Sequence, residues 1–307
     1  VTFWWWVVAA AVVLALLALD LFVFHRHACV ESTRRALLWS VLWIGVGLAF
    51  AGFVAAVRGP ERALEYLTAF LVEKALSVDN LFVFIAIFSY FVVGPQYHHR
   101  VLFWGILGAI VTRGLFIFGG VALLATFHWL LYILGGLLIV TGVRLALVGE
   151  EVHPERNRLV QFASRVLPVE RAYHGEHFAV KTAKGWRLTP LVLVLIAIES
   201  TDIMFAVDSV PAVLAVSRDA FVVYTSNIFA ILGLRALYFV LAGALRSLRF
   251  LRPALVAILI LVGVKMLLTD YVRVPVGIAL GTVAAILVIA TAASLLFPGS
   301  AAEDDRG

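Results

Sequence analysis

Charge is what this chain has least of. Only 14% of its 307 residues are Asp, Glu, Lys or Arg, where soluble domains carry about 25%. Hydrophobic residues make up 63%, and the mean hydropathy is +1.04. A water-soluble fold would have to hide nearly all of that surface, so soluble classes are excluded. Cysteine is almost absent. Cys29 stands alone, so no disulfide can form within the chain and the redox compartment is not indicated. No G-x-x-x-x-G-K-[ST] run occurs, so ATP is not expected to drive this protein directly. No nucleophile–base–acid grouping stands out, and an enzyme is not expected. The alternating strands of a membrane barrel are also missing. The opening "VTFWWWVV" has no basic stretch before its apolar run, so it reads as a span and not as a cleaved leader.

What the chain does have is long apolar runs. Nine can be placed, at 3–24, 36–57, 67–93, 101–124, 129–148, 188–216, 220–241, 253–268 and 274–297. Each approaches or exceeds the roughly 20 residues of helix that cross a bilayer. The expected fold is an all-α polytopic membrane protein of nine transmembrane helices. An odd number of spans puts the termini on opposite sides. With the amino terminus outside, the inner connections carry Arg26, Arg34, Arg35, Arg100, Arg156, Arg158, Arg165, Arg171, Lys181, Lys184, Arg187, Arg246, Arg249 and Arg252. The outer connections carry only Arg58, Arg62, Arg218 and Arg273. Basic residues favour the cytoplasm, so the expected orientation is amino terminus out and carboxyl terminus cytoplasmic. The net charge of +5 belongs to those loops, and nucleic acid is not an expected partner. The polar connection 149–187 reads as a cytoplasmic loop with one short surface helix around 157–167. The last residues read as a disordered tail.

The apolar runs contain an internal repeat. "SVDNLF" at 77–82 matches "STDIMF" at 200–205. Arg113 follows Asp79 by 34 residues, and Arg235 follows Asp202 by 33. "LLIVTGVRLAL" then matches "ILILVGVKMLL", aligning Arg144 with Lys265. Each repeat holds three spans, which forces opposite orientations. The expectation is an inverted 3+3 repeat of spans 3–5 and 6–8, an arrangement that places a binding site near the midplane. The chain then divides into two leading spans (1–62), the first repeat (63–148), the loop (149–187), the second repeat (188–270), and a last span with its tail (271–307).

Of the charges inside the apolar runs, all but Asp20 fall within these repeats. Span 3 carries Glu73, Lys74, Asp79 and Asn80, and span 6 carries Glu199, Asp202 and Asp208. Insertion scales put a central charge at about 2.5–3.5 kcal/mol, so intramembrane ionisable groups point to function. Glu199 and Asp202 are three apart and share a helical face. Asp208 lies six past Asp202, on the other side of an unbroken helix, although Pro211 is expected to loosen the helix there. Glu73 falls nearer the outer end of its run. The repeat brings Asp79 and Asp202 to equivalent depth, where two carboxylates must share a proton or hold a cation. Carboxylate and amide oxygens suit Mn²⁺, Mg²⁺ or Ca²⁺. The competing reading is structural: Arg113, Arg235 and Lys74 pair with these acids and lock helices together. Short histidine spacings at His98–His99 and His174–His177, and His25, His27 and Cys29, read as loop features and not as metal ligands.

"FLVEKALSVDNLFVF" and, about 120 residues later, "IESTDIMFAVDSVPA" resemble the motifs of the TerC family of integral membrane proteins (TerC/Alx-like). The resemblance runs from about Ala63 to Leu268. It implies secondary transport of divalent metal cations, chiefly export of Mn²⁺, within a wider group of inverted-repeat cation exporters. It also implies an association with tellurium resistance. The family's acidic motif residues carry over as Glu73, Asp79, Asn80, Glu199, Asp202 and Asp208. The expected partners are a divalent cation, protons and the lipid bilayer, with a homodimer or membrane partner proteins as further candidates. No tightly bound cofactor is expected beyond the transported Mn²⁺, Ca²⁺ or Mg²⁺. The alternative function is a non-transporting membrane scaffold, serving tellurium or envelope-stress resistance or metal delivery to secreted proteins.

Overall fold

A backbone in lipid must satisfy its own N–H and C=O groups, and a helix does so segment by segment. The computed structural model accordingly consists almost wholly of helices. It describes residues 3–24, 33–127, 129–147, 157–170, 172–182, 185–244, 250–272 and 274–296. Their order is α1 (Phe3–Phe24), α2 (Thr33–Arg58), α3 (Pro60–Tyr90), α4 (Pro95–Thr126), α5 (Leu130–Leu147), α6 (Arg158–Val166), β1 (Ala179–Thr182), β2 (Gly185–Leu188), α7 (Pro190–Leu214), α8 (Ala220–Leu232), α9 (Leu234–Ala244), α10 (Leu251–Leu267) and α11 (Val276–Leu296). The loop around His25, His27 and Cys29 and the carboxyl-terminal tail lie outside the described residues.

Prolines mark where the long helices begin. Pro60, Pro95 and Pro190 each open a helix, where the missing N–H has no partner to lose. Gly59 takes φ +90 immediately before α3, a conformation that suits a residue without a Cβ. Asn157 caps α6 by accepting from Leu159 N and Val160 N, and Asp219 caps α8 by accepting from Phe221 N and Val222 N.

Among the described residues, six apolar stretches are long enough to cross a membrane. They lie in α2, α4, α5, α7, the continuous α8–α9 region and α11. α3 has ample length at 31 residues; its charges set it apart. α10 has 17 residues, and the apolar part of α1 is Phe3–Leu19.

The helices pack in pairs. α3 runs along α8, α4 along α7, and α5 along α10. α2 lies against α3 and α9, α11 against α3 and α10, and α1 against α8. Glycines let α5 and α10 approach closely. A Cβ at Gly142 would lie 3.0 Å from Ile260 Cγ1 and 3.4 Å from the Val256 carbonyl oxygen. A Cβ at Gly263 would lie 2.8 Å from both Ile139 Cγ1 and the Gly135 carbonyl oxygen.

Three features differ from the sequence reading. The run 220–241 is two helices, because the chain turns at Gly233 between α8 and α9. Pro211 does not open α7, which continues through it to Leu214; surrounding buried side chains hold the helix where the proline removes a backbone bond. The 149–187 connection contains the expected short helix, α6, and also a hairpin. In that hairpin β1 pairs antiparallel with β2, Ala179 opposite Leu188 and Thr182 opposite Gly185. The connection is tied to the helices by Tyr173 Oη, which donates to the Phe91 carbonyl at 2.6 Å, and by a stacked Tyr97–Tyr173 pair. Asn157 Nδ2 donates to Ser200 Oγ on α7 at 2.6 Å.

Candidate functional site

The deepest polar group in the molecule is built on four helices. α3 contributes Glu73 and Ser77, α4 contributes Arg113, α7 contributes Asp202 and Ser209, and α8 contributes Asn227. All six are buried. The heights follow from helix rise. Arg113 is 18 residues past Pro95 and Asp202 is 12 past Pro190, which puts them about 27 and 18 Å along their helices.

Arg113 is the hub. Its Nη2 donates to Asp202 Oδ1 at 3.0 Å and its Nε reaches Asp202 Oδ2 at 3.4 Å. This two-point grip suits the planar guanidinium. Its Nη1 pairs with Glu73 Oε1 and also lies 3.3 Å from Ser209 Oγ. Glu73 accepts further hydrogen bonds from Ser77 Oγ at 3.4 Å and from Asn227 Nδ2 at 2.8 Å. One guanidinium therefore faces two carboxylates. If both acids are ionised, the group carries one uncompensated negative charge. Burying such a charge is expensive unless a proton or cation balances it.

The other acids named from the sequence fall elsewhere. Glu199 shares the Asp202 face of α7 and is half-buried. Its carboxylate rests against Gly108 of α4, where any Cβ would collide with it. Asp208 faces away from the cluster, toward α5, and accepts from Thr141 Oγ1 at 2.9 Å. Asn80 is buried on α3, beyond the cluster. Asp79 lies within α3, but its side chain is outside the described residues. Glu73, placed nearer a helix end by the sequence, stands in the middle of α3 at the centre of the cluster. Among the described residues, no three His, Cys, Asp or Glu side chains gather as a metal-holding group. Lys74 donates to the Ala230 carbonyl at 2.9 Å, close to the break at Gly233. Arg235 is buried like its sequence counterpart Arg113.

Sequence reasoning found Glu73 and Asp202 but treated Arg113 mainly as helix glue, and gave Asn227 no role. The available signal for Asn227 was its place in the middle of an apolar helix, where asparagine is a poor helix former.

A second ionic group lies at the start of α3. Arg58 pairs with Asp219, and Arg62 pairs with Glu65 at 2.6 Å. Ser217 Oγ donates to Glu65 Oε2 at 2.5 Å. Two cations meet two anions here, the arginines partly open to solvent and the acids nearly covered.

Comparison with known proteins places the chain. Residues 58–301 match the family model described as "Integral membrane protein TerC family". A Myxococcus xanthus protein, named as the uncharacterized membrane protein STKORF319, is 47% identical over 92% of this chain and 89% of its own length. Two relatives carry the provisional name of membrane-bound redox modulator Alx. The Photorhabdus laumondii protein is 44% identical over 84% of this chain and 83% of its own length. The Escherichia coli K12 protein is 43% identical over 89% and 88%. No solved structure matches. On the strength of the family match and of these full-length relatives, the chain belongs to the TerC family of integral membrane proteins.

Proposed function

We propose that this protein is a secondary transporter that exports a divalent metal cation, Mn²⁺ first among the candidates, in exchange for protons. The observation that carries the reading is the buried excess of carboxylate over guanidinium around Arg113. Structural glue would be served best by equal numbers of opposite charges. An excess acid in a dry interior is served by a mobile cation. Carboxylate, hydroxyl and amide oxygens are hard ligands, which suits Mn²⁺, Mg²⁺ or Ca²⁺ better than Zn²⁺ or Cu⁺.

Arg113 acts in this scheme as a tethered counter-ion. It holds Glu73 and Asp202 when no metal does, and it yields to an incoming cation. Glu199, one turn before Asp202, adds a third acid nearby without joining the ligand group. Three carboxylates and one guanidinium carry two negative charges, which one divalent ion or two protons would neutralise. Asp79, Asn80 and Asp208 remain candidates for the ion's path on either side of this point.

Two arrangements support a nine-span, inverted-repeat architecture. If α8 and α9 count as one span and α6 as a surface helix, α1 to α11 make nine spans. The α3–α8 and α4–α7 contacts are the same pairing with the repeats exchanged. The glycine contacts of α5 and α10 are exchanged too. Gly142 with Val256 and Ile260 corresponds, at a constant offset, to Gly263 with Gly135 and Ile139. Such a pair of halves can expose a central site alternately to either side. The distribution of basic residues supports an orientation with the amino terminus outside, and the bacterial relatives support a bacterial inner membrane.

The deciding experiment is Mn²⁺ flux into inside-out vesicles driven by a proton gradient, with wild type, Glu73→Gln and Asp202→Asn. The exporter reading expects flux that either substitution abolishes at unchanged protein level. Equal flux in all three would overturn it. The scaffold reading is favoured by one observation: Arg113 ties α3, α4 and α7 together. It expects normal flux and loss of a membrane partner on disrupting that tie. The name given to the relatives, redox modulator, fits either reading. Cys29 alone cannot cycle between thiol and disulfide within the chain, whereas moving Mn²⁺ would change redox conditions indirectly.

A further inference from the structure

Asn227 sits midway along α8 with only 1% of its surface exposed. Its Nδ2 donates to Glu73 Oε2 at 2.8 Å. This orientation follows from chemistry, since an ionised carboxylate offers acceptors only and the reversed amide would set oxygen against oxygen. The amide oxygen is then the atom that Glu73 does not engage. It is buried and accepts no hydrogen bond from the protein. Buried amide oxygens seldom stay unpaired, least of all where the surroundings are lipid and helix.

The polar side chains adjacent to it in sequence or gathered around Glu73 are bonded elsewhere. Thr225 Oγ1 donates to the Phe221 carbonyl at 2.6 Å, and Ser226 Oγ to the Val223 carbonyl at 3.0 Å. Lys74, next to Glu73 in sequence, donates to the Ala230 carbonyl, three residues past Asn227. Ser77 is directed at Glu73 and Arg113 at the two carboxylates. The fold therefore presents a hard, neutral oxygen beside a buried carboxylate and gives it nothing to bind.

We propose that Asn227 Oδ1 is a ligand of the divalent cation held by Glu73 and Asp202. The assignment rests on the cation-site reading given above. Its consequence is specific. A carboxylate binds metal ions and protons alike, so it cannot by itself favour one over the other. A carboxamide oxygen coordinates hard cations but takes up no proton near neutral pH. Asn227 thus adds affinity for the metal without adding affinity for the proton that competes with it. It sets the balance of the exchange.

The test is Mn²⁺ binding to the full chain in lipid nanodiscs, followed by the electron paramagnetic resonance signal of free Mn²⁺. Asn227→Leu keeps the shape and removes both polar atoms. Asn227→Asp keeps the oxygen and removes the donor to Glu73. The expected result is a loss of affinity of roughly tenfold or more for Leu, with Asp at or above wild-type affinity. Wild-type affinity in Leu, or an Asp variant as weak as Leu, would overturn the assignment; the latter would mean that only the Nδ2 donor matters. If Leu does not yield monodisperse protein, Asn227→Ala carries the same expectation. Glu73→Gln separates the two levels of the argument. Unchanged binding in Glu73→Gln sinks the cation site itself, while lost binding there with wild-type binding in Asn227→Leu sinks only the role of the asparagine.

Discussion

The two ionic groups of this protein use the same side chains for opposite ends. At the start of α3, Arg58 meets Asp219 and Arg62 meets Glu65. The charges are equal, and the arginines keep 20% and 42% of their side-chain surface. In the middle of the bundle, Arg113 meets both Glu73 and Asp202, with at most 5% exposure on any of the three. The charges are unequal exactly where imbalance is hardest to bear. The first group can be built from water-screened attraction and contributes little. The second survives only if something else shares the carboxylates. Buried charge alone is common in helix packing; buried charge that fails to cancel is what the proposed cation or proton would balance.

That contrast can be broken most severely at Asp202. Asp202→Asn removes the two-point partner of Arg113 and one of the two acids, and Mn²⁺ flux in vesicles should fall to background. A large effect should also follow from Arg113→Met, read as a loss of stability. Removing one member of a buried ionic group leaves the others unpaired and typically costs about 3–5 kcal/mol. Pairing it with Glu73→Gln should restore part of that loss in thermal unfolding, because only one acid then remains to be balanced. Gly108→Ala should have a smaller effect. The new Cβ would displace the Glu199 carboxylate, so flux should drop several-fold while thermal stability changes less than in Arg113→Met. The smallest effect is expected at the balanced group. Arg58→Gln should change stability by about 0–1 kcal/mol and leave flux unaltered. An Arg58→Gln variant as damaged as Arg113→Met would erase the distinction between the two groups.

Much of this was legible in the residues. Helices were readable because lipid permits little else, and the α6 surface helix because Asn157 stands before a short amphipathic stretch. The acids Glu73 and Asp202 were readable because each interrupts an apolar run. What escaped was set by tertiary contact. Nothing in "TRGLFIF" says that Arg113 reaches two other helices at once. Asn227 looks like any polar residue in a helix until Glu73 fixes which way its amide faces. Pro211 carries a strong local signal for a break, yet buried neighbours keep α7 whole. Gly233 carries a weaker signal and does mark a break, beside Trp43 and the Lys74 ammonium. The β1–β2 hairpin was hidden in a connection whose polarity suggested only a loop, though Gly185 at φ +104 and the alternation of Val180 and Thr182 were compatible with one.

The glycine contacts between α5 and α10 have a mechanical consequence. Where two backbones touch through Gly142 and Gly263, neither can slide far without collision, but each can tilt on the other. Should the two halves swing, that seam is the natural fulcrum.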